Sequence, residues 1–382
     1  MLCAYFKSGL CRSCTRIEQP YDVQLVEKQA RCVAALVEYS CIDWLAPVVS
    51  AEMGFRNKAK MVVSGSCDAP VLGILDGAGA GAGVDLTGCP LYPQAIQAAF
   101  APIMSLIRAA RLAPYDIARR QGELKHVLLT YSERDNELML RFVLRSSQAL
   151  PEIRRHLLQL HIDMPNIGVV SANIQPIHQA IIEGPEEIPL TERQTLTMWL
   201  NDLPLYVRPR SFFQTNSAVA ERLYATAQGW IAEIAPAGLW DLFCGVGGFA
   251  LHAARVVPGP ITGIEVSTEA IASAELSARQ QGFDQVTFRA LSADEFVQGR
   301  TAVPPLVIVN PPRRGLGAVL CAFLADSTAQ WLIYSSCNPE SLVRDIRMLT
   351  GFVPVRAQMF DIFPHTDHCE VLVLLVRQPG GV

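Results

Sequence analysis

From about Leu205 onward the chain alternates short apolar runs with helical stretches, and that alternation leaves few folds open. Leu239–Phe243, Ile261–Glu265, Leu306–Asn310 and Trp331–Ser336 read as buried strands. Ser217–Ile231, with Asn216 as its N-cap, and Thr268–Gln281 read as helices between them. The pattern predicts a doubly wound parallel sheet. In open sheets of this kind, ligands bind outside the carboxyl ends of the strands. Three motifs fall at such ends: Asp241-Leu242-Phe243-Cys244-Gly245-Val246-Gly247-Gly248, Asn310-Pro311-Pro312-Arg313, and Cys337, after which Asn338-Pro339 turn the chain. They are expected to converge on one crevice.

A chain of 382 residues exceeds one ordinary core, so more than one domain is expected. Three textures separate at 1–95, 96–204 and 205–382. The first holds clustered cysteines, a helix near Val23–Tyr39 and a hairpin of Lys60–Ser64 with Val71–Leu75, then the glycine-rich run Asp76–Gly83, expected to be a mobile loop. The second is α+β, with strands at His126–Tyr131, Glu137–Arg145, Val169–Gln175 and Gln179–Glu183 and a helix at Pro151–Leu160. Half the residues are apolar and 18% charged, as in a well-buried soluble protein. No apolar run approaches the roughly 18 residues that span a bilayer. The first residues lack the charged and apolar regions of a signal peptide. A cytoplasmic location without membrane association follows as the expectation, and there thiols stay reduced. The eleven cysteines therefore argue for metal binding or catalysis rather than disulfides. The net charge of −4 weighs only weakly against a nucleic-acid partner, since a local basic groove can exist on an acidic protein.

Glycines after a strand let the backbone turn tightly and approach a ligand, and Glu265 ends the next strand twenty positions after Gly245, where a carboxylate can accept from ribose hydroxyls. A nicotinamide dehydrogenase would show the same features. Asn310-Pro311-Pro312 separates the two, because consecutive prolines fix φ and remove donors, leaving carbonyls aimed into the pocket. Class I S-adenosylmethionine methyltransferases place an acid or amide before two prolines at the methyl-transfer edge. Arg313 stands where amino-methylating enzymes carry a stacking aromatic, which disfavours amino-group methylation of DNA. A thiol, Cys337, beside such a pocket suggests covalent catalysis.

Cys3, Cys11 and Cys14 lie close in sequence and Cys89 returns later. Four thiolates suit either Zn²⁺ or a [4Fe–4S] cluster. One close pair with two outliers is unlike the two pairs usual for zinc, and the spacing does not match the radical S-adenosylmethionine signature. Cys32, Cys41, Cys67, Cys244, Cys321 and Cys369 read as ordinary small apolar residues. Phe55-Arg56-Asn57-Lys58-Ala59-Lys60 mixes cations with an aromatic just before a strand and could bind phosphates and stack a base, or could be a solvated strand entry; Arg119-Arg120 and Arg208-Pro209-Arg210 could extend the track.

Five motifs in order, Ser211–Asn216, Asp241–Gly248, Asn310–Gly315, Ser335–Pro339 and Phe363–Glu370, make the chain resemble the RNA 5-methyluridine methyltransferases over nearly its whole length. The resemblance implies an α/β fold: a Rossmann-like class I S-adenosylmethionine-dependent methyltransferase domain preceded by an α+β iron–sulfur domain. It implies Cys337 as nucleophile and Glu370 as proton acceptor. Gln214, Phe243, Glu265 and Asn310 would contact the cofactor, with Gly245 in the turn beneath it. Cys3, Cys11, Cys14 and Cys89 would hold a [4Fe–4S] cluster. Many relatives carry Asp where this chain has Asn310, so this amide could orient the uracil edge instead. The chemistry explains the residue types: uracil C5 is too weak a nucleophile to take a methyl group until a thiolate adds at C6. Arg313 and Arg314 are candidates for promoting that thiolate. Because the chain begins directly at the cysteine cluster, it resembles the branch acting on uridine 747 of 23S rRNA. Structured 23S rRNA is then the expected partner of a monomer needing no obligate protein partner. Another RNA uridine, a non-RNA substrate, or a non-catalytic RNA-binding assembly role are the alternatives.

Overall fold

Trp331–Ser336 has its last five residues buried, and all four residues of Leu306–Val309 and Leu239–Leu242 are buried, so these strands can sit only in the middle of a sheet. The structure, a computed structural model, describes residues 1–75, 83–179, 181–299 and 302–378. It divides into two units. One comprises Met1–Cys14, Glu52–Met198 and Arg208–Arg210; the other comprises Thr15–Ala51, Trp199–Val207 and Ser211–Val382. This interleaving differs from three consecutive segments. The boundary expected at 95/96 falls inside the helix Gln94–Ala109 of the first unit, and Asp43–Trp44 belongs to the second unit, where it pairs in parallel with Phe352–Phe360.

The second unit holds an eight-stranded sheet in the order Asp43–Trp44, Phe352–Phe360, Glu370–Arg377, Trp331–Ser336, Leu306–Val309, Leu239–Leu242, Ile261–Glu265, Val286–Ala290. Glu370–Arg377 is antiparallel to both its neighbours and the remaining pairs are parallel. From Leu239 on, the chain builds outward to Val286–Ala290, returns to Leu306–Val309 and builds outward on the other side. The reversal lies between Leu239–Leu242 and Leu306–Val309, the place where a doubly wound sheet opens a crevice at its strand ends. Thr268–Gln281 is a helix with the bounds read from sequence, N-capped by Ser267 and closed by Gly282 at φ +67°. Asn216 caps Ser217–Ile234 by accepting from Val219 N.

The first unit is a seven-stranded sheet in the order Gly83–Asp85, Pro70–Leu75, Lys58–Gly65, Leu124–Ser132, Glu137–Leu144, Ile167–Ile174, Glu186–Pro189. The helix Gln94–Ala109 buries Ile96, Ala99, Phe100, Ile103 and Ile107, a 3.6-residue stripe, in one core with Met61, Leu129, Leu140 and Phe142. The strand expected at Gln179–Glu183 begins instead at Glu186. Side chains take the place of ladder bonds before it: Gln175 Nε2 donates to Ile181 O at 2.8 Å, and Asn173 Nδ2 donates to Gly184 O at 3.1 Å. Of the expected glycine loop, residues 76–82 lie outside the described residues, and Gly83 starts a strand. No helix among the described residues is long and apolar enough to cross a membrane.

Candidate active site

Antiparallel pairing brings the two chemically interesting ends together. The register sets Ser335 opposite Leu372 and Ser336 opposite Val371, so Cys337 and Glu370 both come at this end of the strand pair, and the charge of Glu370 acts on Cys337. Asn338 does not merely turn the chain. It N-caps the helix Pro339–Met348, accepting from Glu340 N at 3.1 Å, with Pro339 in the first turn where its missing N–H costs nothing. Its Nδ2 also donates to Arg313 O at 3.2 Å, which ties the exit of the Cys337 strand to the segment after Pro311-Pro312.

Cys337 is half-buried. Burial raises its pKa, and the charge of Glu370 adds to the rise. Arg313 opposes both through its charge and a hydrogen bond to the thiol. Arg313 Nη2 also lies 3.1 Å from His368 Nδ1. Arg314 is engaged through its carbonyl, which accepts from Arg344. Glu370 is fully enclosed, and burial pushes its carboxyl up to about 7 even though Ser335 Oγ donates to Oε1 at 2.5 Å. A carboxyl poised near neutral pH is what a proton acceptor needs. Sequence reading weighed His368 with His365 as structural or RNA-contacting; Ser335 it did not single out, and the available signal was its place two residues before Cys337 on a buried strand.

The strand ends at the reversal form a second group. Phe243, Gly245 and Gly247 all have positive φ, at +66°, +55° and +85°, so the turn after Leu242 is tightly wound. A Cβ on Gly247 would come within 2.9 Å of Phe288, whereas one on Gly245 would meet nothing within 4 Å, so Gly245 borders open space. Glu265 Oε2 accepts from Gly245 N at 3.3 Å and its Oε1 from Ser267 N at 3.0 Å. Each carboxylate oxygen keeps a lone pair for a hydroxyl of a bound ligand. Asn310 N donates to Leu242 O at 3.3 Å, which ties the end of Leu306–Val309 to the end of Leu239–Leu242 at the reversal. Gln214 is buried on the loop before Ser217–Ile234, a loop held by the Ser211 Oγ to Ser273 Oγ contact of 3.3 Å. Asp241 is buried beneath the turn, accepts from Ala250 N at 2.9 Å, and is pushed up to about 8 by burial.

In the first unit, Cys3, Cys11, Cys14 and Cys89 line a single pocket with Tyr5, Phe6 and Pro90. Burial pushes the Cys14 thiol up to about 11, with the charges of Cys89, Cys11 and Cys3 adding to it. Burial raises Cys89 as well, with Cys3 and Cys11 contributing. Among the described residues, no three or more His, Cys, Asp or Glu side chains are gathered closely enough to hold a metal ion as they stand. Of the cationic stretches, Lys58 is largely buried, which lowers it to about 8, and Arg56 Nε donates to Lys58 O at 3.2 Å. Arg210 Nη1 donates to Pro185 O at 3.0 Å.

Residues 193–378 match the tRNA (uracil-5-)-methyltransferase family. The chain is 57% identical over 380 residues to the 23S rRNA (uracil(747)-C(5))-methyltransferase RlmC of Halothiobacillus neapolitanus, covering 99% of this chain and 100% of that one. It is 50% identical over 378 residues to the RlmC of Escherichia coli K12, with the same coverage. Among solved structures, the tRNA (uracil-54, C5)-methyltransferase of Pyrococcus abyssi in complex with S-adenosyl-L-homocysteine matches with a TM-score of 0.78 at 23% identity, over 95% of this chain and 85% of that one. That likeness bears out the α/β methyltransferase fold expected from the strand–helix alternation. With these full-length relatives and the strand-end site described above, the chain belongs to the S-adenosylmethionine-dependent RNA (uracil-C5)-methyltransferase family.

Proposed function

We propose that this enzyme methylates C5 of uridine 747 in 23S rRNA through a transient bond between Cys337 Sγ and C6 of the uracil. The observation that carries the residue assignment is that Cys337 and a buried, near-neutral Glu370 come at the same strand end, where the charges of Glu370 and Arg313 both act on the thiol. The identity of the base rests on the curated relatives. S-adenosylmethionine supplies the electrophilic methyl group. Arg313 favours the thiolate of Cys337, which adds to C6 and converts the ring into an enolate with carbanion character at C5. That carbon takes the methyl group. The Glu370 carboxylate then accepts the C5 proton, the C6–S bond breaks, and the thiolate is restored. Ser335 holds Glu370 in place. Glu265, Gly245, Phe243, Gln214 and Asn310 hold the methyl donor, Glu265 through its spare lone pairs. Uracil C5 is stacked in helical RNA, so the target base must be unstacked or flipped to reach Cys337.

The same reading assigns Cys3, Cys11, Cys14 and Cys89 to a [4Fe–4S] cluster that organises the first unit for RNA binding. One observation supports this: the four thiols line one pocket, and the charges of the others add to the rise at Cys14 and Cys89, a cost that bound cationic iron would relieve. The enzyme acts as a cytoplasmic monomer on RNA without a membrane or obligate protein partner.

RNA containing the uridine-747 hairpin with 5-fluorouridine at the target tests the reaction. A covalent adduct is expected with wild-type protein and none with Cys337→Ala. Adduct formation by Cys337→Ala sinks the nucleophile assignment, and an unmethylated uridine elsewhere in RNA from a deletion strain sinks the site. Anaerobically purified protein is expected to be brown with about four irons and four sulfides per chain; a colourless zinc protein overturns the cluster.

A further inference from the structure

Cys369, the residue before Glu370, does not behave as a lone buried thiol. Its Sγ lies 3.7 Å from Cys32 Sγ, and both residues are about 1% exposed. Cys32 is on the helix Tyr21–Ala35, which packs into the core of the second unit, so the contact joins two stretches 337 residues apart in sequence. The preceding helical residue, Arg31, reaches the same sulfur: its Nη2 is 3.7 Å from Cys369 Sγ and donates to Asp367 O.

We propose that Cys32 and Cys369 form a peroxide-oxidisable dithiol, a modification site whose closure restrains the strand end carrying Glu370. The hydrogen bond from Cys32 and the Arg31 guanidinium both favour a Cys369 thiolate, which is the attacking species. The thiolate attacks one oxygen of hydrogen peroxide, giving a sulfenic acid and releasing hydroxide. The Cys32 sulfur then attacks that sulfenic sulfur, forming the disulfide, and its proton leaves with the departing hydroxyl as water. In sum, two thiols and one peroxide give one disulfide and two waters. Enclosure of both sulfurs selects a small oxidant over a bulky disulfide. A disulfide bond is about 2.05 Å long, so closure draws the two sulfurs together by well over an ångström. Cys369 is covalently next to Glu370, whose Oε1 sits on Ser335 Oγ, and even a small displacement there misaligns proton transfer. This consequence for turnover rests on the role proposed for Glu370; the chemistry of the pair does not.

Full-length protein is treated with a slight excess of hydrogen peroxide, its remaining thiols are alkylated, and its peptides are mapped by mass spectrometry. A cross-link between the Cys32 and Cys369 peptides is expected, absent in Cys32→Ala and in Cys369→Val, and reversed by dithiothreitol. Peroxide also attacks other thiols, so activity is compared between wild type and Cys32→Ala after equal treatment. Wild type is expected to lose several-fold more of the activity that dithiothreitol restores. Full alkylation of both cysteines after peroxide has already oxidised Cys337 overturns the pair. A cross-link accompanied by equal activity losses overturns the coupling to the strand end while leaving the assignment of Glu370 untouched.

Discussion

Cys337 lies at a strand end where Arg313 acts on it by charge and hydrogen bonding, whereas Cys3, Cys11, Cys14 and Cys89 line one pocket with Tyr5, Phe6 and Pro90. In both places burial raises the thiol, but the compensation differs. At Cys337 a guanidinium offsets part of the rise and a carboxyl lies at the same strand end, so the sulfur can gain and lose a bond within one cycle. In the pocket the charges of neighbouring thiols add to the rise at Cys14 and Cys89, which a bound cationic centre would relieve. On the proposed reading, one sulfur serves turnover and four serve permanent occupancy. Cysteine count says nothing about which is which; the identity of the nearest charge does.

The largest test of that contrast is Cys337→Ala. Methyl transfer from labelled S-adenosylmethionine to RNA is expected to vanish, while iron content stays at the wild-type level. If iron is lost together with activity, the two sulfur centres are not chemically separate as described. Glu370→Gln comes next. It is expected to slow turnover by about a hundred- to ten-thousand-fold. Thiolate addition and methyl transfer remain possible without the carboxylate, so a protein–RNA adduct should accumulate on denaturing gels with natural uridine. Fast turnover without an adduct would assign the C5 proton to another group.

How much of this was legible in the sequence follows from how local each signal is. Thr268–Gln281 could be read because its stop signals, Ser267 and Gly282, lie within one turn of its ends. Leu239–Leu242, Leu306–Val309 and Trp331–Ser336 could be read because they are short, mostly apolar buried runs, whereas the edge strand Val286–Ala290, with Thr287 and Arg289 exposed, was not read. The return of Thr15–Ala51 to the C-terminal sheet could not. Its strand is only Asp43–Trp44, and its anchor is the buried pair of Lys28 Nζ with Asp361 Oδ1 at 2.6 Å, a contact across more than three hundred residues. The motifs located Cys337 and Glu370, but only the antiparallel pairing of their strands brings them to the same end of the sheet. Cys32 and Cys369 passed as packing residues because each is buried and apolar in its own neighbourhood, and nothing local shows that they touch.

The raised carboxyl of Glu370 also affects stability, and the sign can be worked out. In the unfolded chain a glutamate ionises near 4.5; folded, Glu370 holds its proton to about 7. Between these values the folded state binds more protons, so stability is lost as pH rises through that window. The full span is worth on the order of 3 kcal/mol. Buried His126 and His252, both lowered to about 4, act in the opposite direction by destabilising the fold as pH falls below about 6.5. Comparing Glu370→Gln with wild type cancels those terms. Denaturant titrations should show the variant gaining relative to wild type from pH 5 to pH 8. Parallel stability curves would mean that Glu370 is already ionised in the fold and is no near-neutral base.

The smallest effect expected is at Arg313, and it separates the two sulfur environments most directly. Replacing it by Gln removes the charge and the hydrogen bond that oppose burial at Cys337. The thiol pKa should then rise, and alkylation of Cys337 near neutral pH should slow by about three- to tenfold. Arg313→Lys keeps the charge but not the planar fork, so it should restore part of the rate. Asn338 bonds the backbone carbonyl of residue 313, which both substitutions retain, so the helix after Cys337 should keep its cap. The diagnostic readout is the pH profile of alkylation: a shift to higher pH with the same plateau identifies lost thiolate stabilisation. A lower plateau at unchanged pH would instead mean altered access to the sulfur, and would remove Arg313 as the group that distinguishes Cys337 from the cysteines of the pocket.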